Sequence, residues 1–537
     1  MTNFKVTKSI FYQFLILMLV AVVFELINKG FVSSTLYNTI ENTLFSMVLI
    51  SPIYFIYNRK IQLLYSVLIY LLFAFFIYFE AVYFYLFETY LSASSIFVAL
   101  DSNNTEALEF FKFYVDYKVI IFSILMLIVS VVSVLKFKSI LSHFQKVSNG
   151  TLVQISIYIL TVLMFLKFST LIVYNFPYLM LKSTLEYSIE SSKLGSYQTN
   201  KLGDFTNVSR PIQQDDEVYV LILGESTTRS HFGLYDYYRS TTPYLELLKE
   251  DLERYNDVIS PHVYSIASLT KILTLGNYED PNQISNGSII QLANTANFET
   301  SWLSNQRPIG PYESLITKIS LSSNKLKFLA TTVAYHNNVL DQDLLPELDS
   351  VLSDNENSKK FIVIHLMGTH LNYVNRFTDS FNQFTDEPQA NFKSVENFQK
   401  INNYDNAVLY TDYIVSEIIK RIKSLNTKSF VVYLSDHGEE LFKDYNMAGH
   451  NEDIATKDMF DVPFLLWQSD KYKAQKKLTI DVDRPYMLDD LFHSLADLLA
   501  ISAQEVDLSR SLFNQNFKNR KRIILKSSDY DVYFNSN

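Results

Sequence analysis

Cysteine is absent from this chain of 537 residues. No disulfide can therefore brace it, even if part of it lies in an oxidising compartment. An excess of positive charge is missing too. Lys and Arg number 46 against 56 Asp and Glu, for a formal charge of −10, which argues against a nucleic-acid partner. No internal repeat is visible. No cleavable leader is expected either, because the first apolar run is long, lacks a small-residue cleavage site and is followed by more of the same kind. What the chain has is length, enough for at least two domains, and apolar bulk. Hydrophobic residues make up 48% and aromatic residues 15%, with 41 Phe and 37 Tyr. That bulk is concentrated in the first third.

Five apolar segments fill residues 1–175: 10–27, 43–57, 63–87, 119–135 and 152–174. A membrane-spanning helix needs about 20 apolar residues. Four segments come close, and the second, which contains Pro52, is the weakest. One such run could be a core helix, but five in succession predict a five-span membrane domain. Lys5 and Lys8, then Arg59 and Lys60, then Lys136, Lys138 and Lys146 fall in alternate loops. The positive-inside rule then places the N-terminus in the cytoplasm and everything after Tyr174 outside. Glu25 and Glu80 sit within expected spans, where an ionisable group is costly and often functional. Residues 176–215 are polar and Ser-rich, with Leu179, Leu181, Leu185 and Ile189 at helical spacing. They read as an interfacial amphipathic linker.

From about 216 to 537, short apolar strands alternate with helical patterns. Strands are expected at 218–224, 300–303, 328–334, 361–367, 430–434 and 464–467, and helices at 243–254, 404–425 and 487–499. Such alternation implies an α/β domain with a mostly parallel sheet covered by helices. The chemistry gathers at strand exits. Asp436 and His437 follow one strand, Glu225 follows another and His370 follows a third, so three strands could serve one rim. Taken alone, Glu225 reads as a first-turn acid. Asp436, His437, Glu225 and one hydroxylate make a four-ligand set suited to Zn²⁺. Ser265, Ser268 and Thr270 are near-equal candidates for the hydroxyl, which needs a metal or a base to become a nucleophile. His370 and His450, each close after a glycine in a polar segment, could hold a phosphate or a second metal. His365 reads as a packed strand histidine. His143, His231, His262, His336 and His493 read as structural.

Together these strings resemble the membrane-bound phosphoethanolamine transferases of the alkaline phosphatase and sulfatase superfamily. The carrying motifs are Gly224-Glu225-Ser226-Thr227, Arg239-Ser240-Thr241-Thr242-Pro243, the Ser-Pro-His…Leu-Thr-Leu stretch over 260–275, and Trp302-Leu303-Ser304-Asn305-Gln306. To these are added His365-Leu366-Met367-Gly368-Thr369-His370, Tyr404-Asp405-Asn406 with Tyr410-Thr411-Asp412, and Ser435-Asp436-His437-Gly438-Glu439. The resemblance implies an alkaline-phosphatase-like extracytoplasmic domain, with Glu225, Asp436, His437 and Ser265 as zinc ligands and Ser265 as nucleophile. It places His370 and His450 near the substrate phosphate, with room for a second zinc and with manganese as a less favoured metal.

The implied activity moves phosphoethanolamine from phosphatidylethanolamine to an envelope glycan or lipid of the lipid A or lipopolysaccharide type. Serine stands where the family usually has threonine, and the cysteines of some lipid A-modifying members are missing. The implied place is a bacterial inner membrane, with the catalytic domain in the periplasm. Two rival expectations are a phosphoglycerol transferase that uses phosphatidylglycerol and an inactive membrane scaffold. A formylglycine sulfatase is disfavoured, because Ile266-Ala267-Ser268-Leu269 after Ser265 lacks the Cys/Ser-x-Pro-x-Arg pattern.

Overall fold

The computed structural model describes residues 2–87, 90, 104–145, 148–193, 196–211, 215–306, 315–329, 339–354 and 357–535. The chain divides into two compact units. One is formed by Met1–Ala99 with Tyr114–Tyr187, the other by Leu100–Phe113 with Ser188–Asn537.

The first unit is helical: α1 (Thr2–Lys29), α2 (Ser33–Ile50), α3 (Arg59–Phe87), α4 (Tyr117–Leu141), α5 (Asn149–Phe168) and the start of α6 (Phe176–Lys193). Among the described residues four helices are long and apolar enough to cross a membrane, Lys5–Lys29, Arg59–Phe87, Tyr117–Leu141 and Asn149–Phe168. The second expected span is not among them. Its residues form the end of α2 and a 3-10 turn, Ser51–Phe55, opened by Pro52. Pro52 cannot supply the N–H that would continue the helix. α2 also buries Asn38, Glu41 and Asn42, which lowers its apolarity. Phe14, Tyr70, Phe73 and Phe137 pack as a fully buried aromatic core, while Ile120, Ile121, Leu127 and Leu135 of α4 are exposed, as suits a lipid-facing surface.

The second unit is built on a seven-stranded sheet. Its strands are β1 (Glu217–Gly224), β2 (Leu252–Arg254), β3 (Glu299–Ser304), β4 (Lys325–Phe328), β5 (Lys359–His365), β6 (Lys428–Ser435) and β7 (Phe464–Gln468). The order is β2-β7-β6-β1-β5-β3-β4. The strands β6, β1, β5, β3 and β4 run parallel, whereas β7 is antiparallel to both neighbours. Every residue of β1 and β6 is buried, which explains why these strands read as unbroken apolar runs rather than as alternation. One sheet face (Tyr219, Leu221, Phe361, Phe430, Val432) packs with α7 (Ser265–Leu273) and α9 (Leu491–Leu498). The other (Val220, Ile222, Ile362, Val431) packs with the long α8 (Val395–Ser424).

Two expectations need correction. The helix at 243–254 is a single turn, Pro243–Glu246, and Leu252–Arg254 joins the sheet as β2. The buried Asp412 carboxylate accepts from the Tyr244 and Leu245 N–H groups, which anchors that turn, and the chain then turns to pair with β7. The strand expected at 328–334 ends at Phe328 and begins at Lys325. Most of the expected range, 330–334, lies outside the described residues.

Trp302 of β3 is 1% exposed and sits in the same cluster as β1 and α9. Trp302→Ala is expected to lower the stability of this unit by about 3–5 kcal/mol through lost transfer energy and a cavity. Thermal unfolding of the full chain reads the effect, and an unchanged transition would contradict this packing.

Candidate active site

The central strands β6, β1 and β5 lie side by side, and their carboxyl ends carry the chemistry. Gly224 of β1 is in register with Ser435 of β6. The next residue of each strand is an acid, so Glu225 and Asp436 emerge as neighbours. Glu225, Asp436 and His437 place one donor atom each within 4.8 Å of one another, and all three residues are buried. His437 Nε2 lies 3.3 Å from Glu225 Oε1 and 3.7 Å from Asp436 Oδ2. Its Nδ1, 2.9 Å from the Gly438 carbonyl, must donate there. With Nδ1 committed there, Nε2 is the nitrogen directed at the two acids, a donor to them while protonated and a ligand atom once its proton is lost.

The hydroxyl comes from α7. Ser265 Oγ is 3.0 and 3.1 Å from the two Glu225 oxygens and 3.3 Å from His437 Nε2. Ser265 is the first residue of α7, and Tyr264 before it provides no side-chain cap, so first-turn N–H groups stay available beside the hydroxyl. The two other hydroxyls are engaged elsewhere. Ser268 Oγ bonds Ser260 Oγ and the His262 carbonyl, and Thr270 Oγ1 donates back to Ile266 O. Of the three sequence candidates, the geometry brings Ser265 alone to the cluster.

Electrostatics make the cluster receptive to a cation. Burial opposes the Glu225 charge, but the hydrogen bond and charge of His437 outweigh it and hold the carboxyl well below its usual range. Burial, and then the Glu225 charge, push Asp436 up to about 7. Burial works against protonated His437, yet Asp436 and Glu225 hold it up at about 10. Asp436 Oδ1 accepts from the Ser226 and His437 N–H groups, while Asp436 Oδ2 is buried without a partner. A carboxylate oxygen without a donor, an oriented imidazole nitrogen, a second carboxylate and a hydroxyl form a four-donor set of the chemistry that fits zinc.

His370 and His450 line the same rim. The rings of His437 and His450 lie 4.3 Å apart. His450 Nδ1 is 3.3 Å from Glu439 Oε1, and the Tyr373 hydroxyl donates to the other oxygen of Glu439. The buried His370 Nδ1 has no partner. Burial lowers the pKa of both histidines, so each is held toward the neutral form. His365 ends β5 against Trp302 and is pushed down to about 4 by burial, as a packed strand histidine should be. His231 pairs with Asp405, and His262 with Glu452 and Lys271. His336 lies outside the described residues.

Several supporting residues escaped the sequence reading. Ser226 has φ +59°, the left-handed region, which is costly for a residue other than glycine. Tyr404 of α8 secures this turn, since its hydroxyl donates to Ser226 O and accepts from Thr228 N, both at 2.8 Å. Gly368, at φ +52°, lets its loop approach Glu225 so closely that a Cβ there would stand 2.8 Å from the Glu225 carbonyl. Asp341 holds that loop through the Met367 and Gly368 N–H groups. Tyr404 and Gly368 stood inside quoted motifs, which was a usable signal. Asp341 had none. Removing the hydroxyl in Tyr404→Phe leaves buried backbone groups unpaired and is expected to cost about 1–3 kcal/mol, with a matching fall in thermal midpoint. No change would show that the Glu225 turn stands without this clamp.

The sulfatase family model matches residues 217–501. Phosphoethanolamine transferase EptC of Escherichia coli K12 is 34% identical over 340 residues, 61% of this chain and 58% of that protein. Kdo(2)-lipid A phosphoethanolamine 7''-transferase of the same strain is 27% identical over 316 residues, covering 55% and 54%. The chain thus matches a little over half the length of these relatives. The crystal structure of the C-terminal periplasmic domain of Escherichia coli EptC in complex with Zn superposes with a TM-score of 0.58 at 33% identity, covering 61% of this chain and 94% of that one. The integral membrane protein EptA of Neisseria meningitidis shares the fold across 95% of this chain and 97% of its own, with a TM-score of 0.67 at 18% identity. Membrane-type helices followed by an alkaline-phosphatase-like domain are therefore the architecture of this protein, which belongs to the sulfatase family.

Proposed function

We propose that this protein is a metal-dependent phosphoethanolamine transferase of the bacterial inner membrane. On this reading it takes its donor group from phosphatidylethanolamine and passes it to a lipid A or lipopolysaccharide type acceptor. The observation that carries the proposal is the Ser265 hydroxyl, set at the start of α7 within hydrogen-bond reach of Glu225 and His437. The names of the relatives and the zinc complex of one of them support it. The N-terminus is assigned to the cytoplasm and the second unit to the periplasm on the distribution of Lys and Arg.

Glu225, Asp436, His437 and Ser265 would hold the zinc. Bound there, the ion would lower the pKa of a ligating hydroxyl and neutralise charge on a phosphoryl oxygen. Ser265 Oγ, freed of its proton, attacks the phosphorus of the donor. The Oγ–P bond forms, the bond from phosphorus to the diacylglycerol oxygen breaks, and that oxygen takes up a proton. His370, held toward the neutral form, presents an N–H group to a phosphoryl oxygen, whereas His450, whose Nδ1–H is taken by Glu439, turns Nε2 to the rim and donates from it only when protonated, and the open first turn of α7 adds backbone N–H groups. The Glu439 and Tyr373 pair keeps the His450 ring oriented. An acceptor oxygen then attacks the same phosphorus, and Ser265 regains its proton.

Intact-mass analysis and peptide mapping after incubation with phosphatidylethanolamine should find a phosphoethanolamine adduct on Ser265. Ser265→Ala should remove the adduct and lower turnover by at least about a thousandfold. A phosphoglycerol adduct from phosphatidylglycerol would replace the donor assignment, and no adduct from either lipid in zinc-loaded protein would overturn covalent transfer.

Zinc uptake should also depend on pH with a defined sign. Without metal His437 is held protonated up to about 10 and Asp436 up to about 7. Binding must displace those protons. Between pH 7 and about 10 affinity is therefore expected to rise about tenfold per pH unit for the His437 proton, and by a further tenfold where the Ser265 hydroxyl ionises on binding, with one to two protons released per zinc and a steeper rise below pH 7. Calorimetry in buffers of different ionisation heat counts the protons, and a count of zero at pH 8 would contradict this ligand set.

A further inference from the structure

A second concentration of buried acid lies in the helical unit. Glu25 of α1, Glu41 of α2 and Glu80 of α3 are 3%, 0% and 3% exposed. Amides and a phenol serve one oxygen of each. Asn38 and Asn42 donate to Glu80 Oε2 at 3.1 and 2.7 Å, Asn175 to Glu41 Oε1 at 2.7 Å, and Tyr90 to Glu25 Oε2 at 2.7 Å. Asn38, Glu41 and Asn42 stand three and four residues apart on one face of α2, so Glu41 lies beside the asparagines that hold Glu80. The remaining oxygens are the informative ones. Glu41 Oε2 and Glu80 Oε1 are buried with no hydrogen bond of ordinary geometry, although the Phe176 backbone lies near the Glu80 carboxyl.

Aromatic rings stand over the same end of the unit. The Tyr90 ring lies 4.9 Å from Phe84 and 5.9 Å from Tyr174, and Tyr174 lies 6.3 Å from Tyr37. Tyr37 and Tyr174 neighbour Asn38 and Asn175 in sequence, and Tyr37 is 48% exposed. Helices α1 and α3 end here and α2 begins here, so this is the end from which the chain leaves after α5.

Two buried carboxylate oxygens left without a donor, at an end of the unit that also carries several aromatic rings, are the chemistry that recognises an ammonium. A primary ammonium has N–H donors for both oxygens and a positive charge for the rings. An acid buried among apolar helices is costly to keep and often serves a function beyond packing. We propose that Glu41 and Glu80 form a docking site for the primary ammonium headgroup of an aminophospholipid drawn sideways from the bilayer. The carboxylates are enclosed, so entry requires the Tyr37 and Tyr174 rim to part. The site deepens the donor-lipid reading above and rests on it.

The test uses the full-length Ser265→Ala protein in phosphatidylglycerol nanodiscs. They are doped with a phosphatidylethanolamine that carries a photoreactive diazirine beside a free amine. After illumination, label is expected on peptides from 33–50 or 59–87. Excess phosphatidylethanolamine should compete and phosphatidylcholine, whose nitrogen has no N–H, should not. Glu41→Gln with Glu80→Gln should reduce the label about tenfold. The competition needs no change at either glutamate, so it decides the matter even if that double variant misfolds. Equal competition by phosphatidylcholine, displacement by free ethanolamine alone, or unchanged labelling of the double variant would each overturn the site. Wild-type protein run in parallel separates the two readings. A Ser265 adduct without helix label sinks the docking site and keeps the donor, and helix label without an adduct does the reverse.

Discussion

Glu225 and Asp436 leave adjacent parallel strands at the same level because Gly224 pairs with Ser435. That register forces two carboxylates together where water is excluded, and two like charges cannot both persist there without a compensating cation. Everything around them answers this constraint. His437 supplies positive charge, Ser265 sets a hydroxyl against Glu225 and His437, and the Gly438 carbonyl fixes which imidazole nitrogen faces inward. The site is therefore a charge balance set by strand register, and under the proposed function a phosphoryl group would bring further negative charge to the same place.

The surrounding fold serves to keep that register and the loops beyond it. Burial of both sheet faces locks β6, β1 and β5 against slippage, since a one-residue shift would turn Glu225 or Asp436 into the core. α8 reaches over the rim with Tyr404, which ties down the strained Ser226 turn, and Asp341 plays a similar part for the loop that carries Gly368 and His370. Without a disulfide anywhere, these hydrogen bonds and the two apolar clusters are what hold the rim. The helical unit shows the opposite economy. Its core is aromatic and its outer faces are apolar, so the few buried glutamates stand out as features that packing alone does not explain.

Much of this was legible in the sequence. Buried parallel strands write themselves as unbroken apolar runs, so β1, β5, β6 and β7 were found within a residue or two of their ends. Metal-type residues at strand exits identified Glu225, Asp436 and His437. Where local pattern and tertiary demand disagreed, the sequence misled. The apolar spacing after Pro243 suggested a full helix, but Asp412 holds a single turn and edge pairing with β7 claims Leu252–Arg254. The run ending at Tyr57 reads as one continuous apolar segment, yet it is divided at Pro52 between the end of α2 and a 3-10 turn.

Sequence by itself determined the architecture and the chemical inventory: apolar helices first, an α/β domain after them, and acids and histidines at strand ends. These follow from periodicity and composition, which are local. Tertiary structure alone decided which hydroxyl joins the cluster, because Ser265, Ser268 and Thr270 differ only in where one short helix points them. It alone decided the tautomer of His437, the partner of His450 and the unpaired oxygens of Glu41 and Glu80. Those depend on distances between residues far apart in the chain, and no spacing along the chain encodes them.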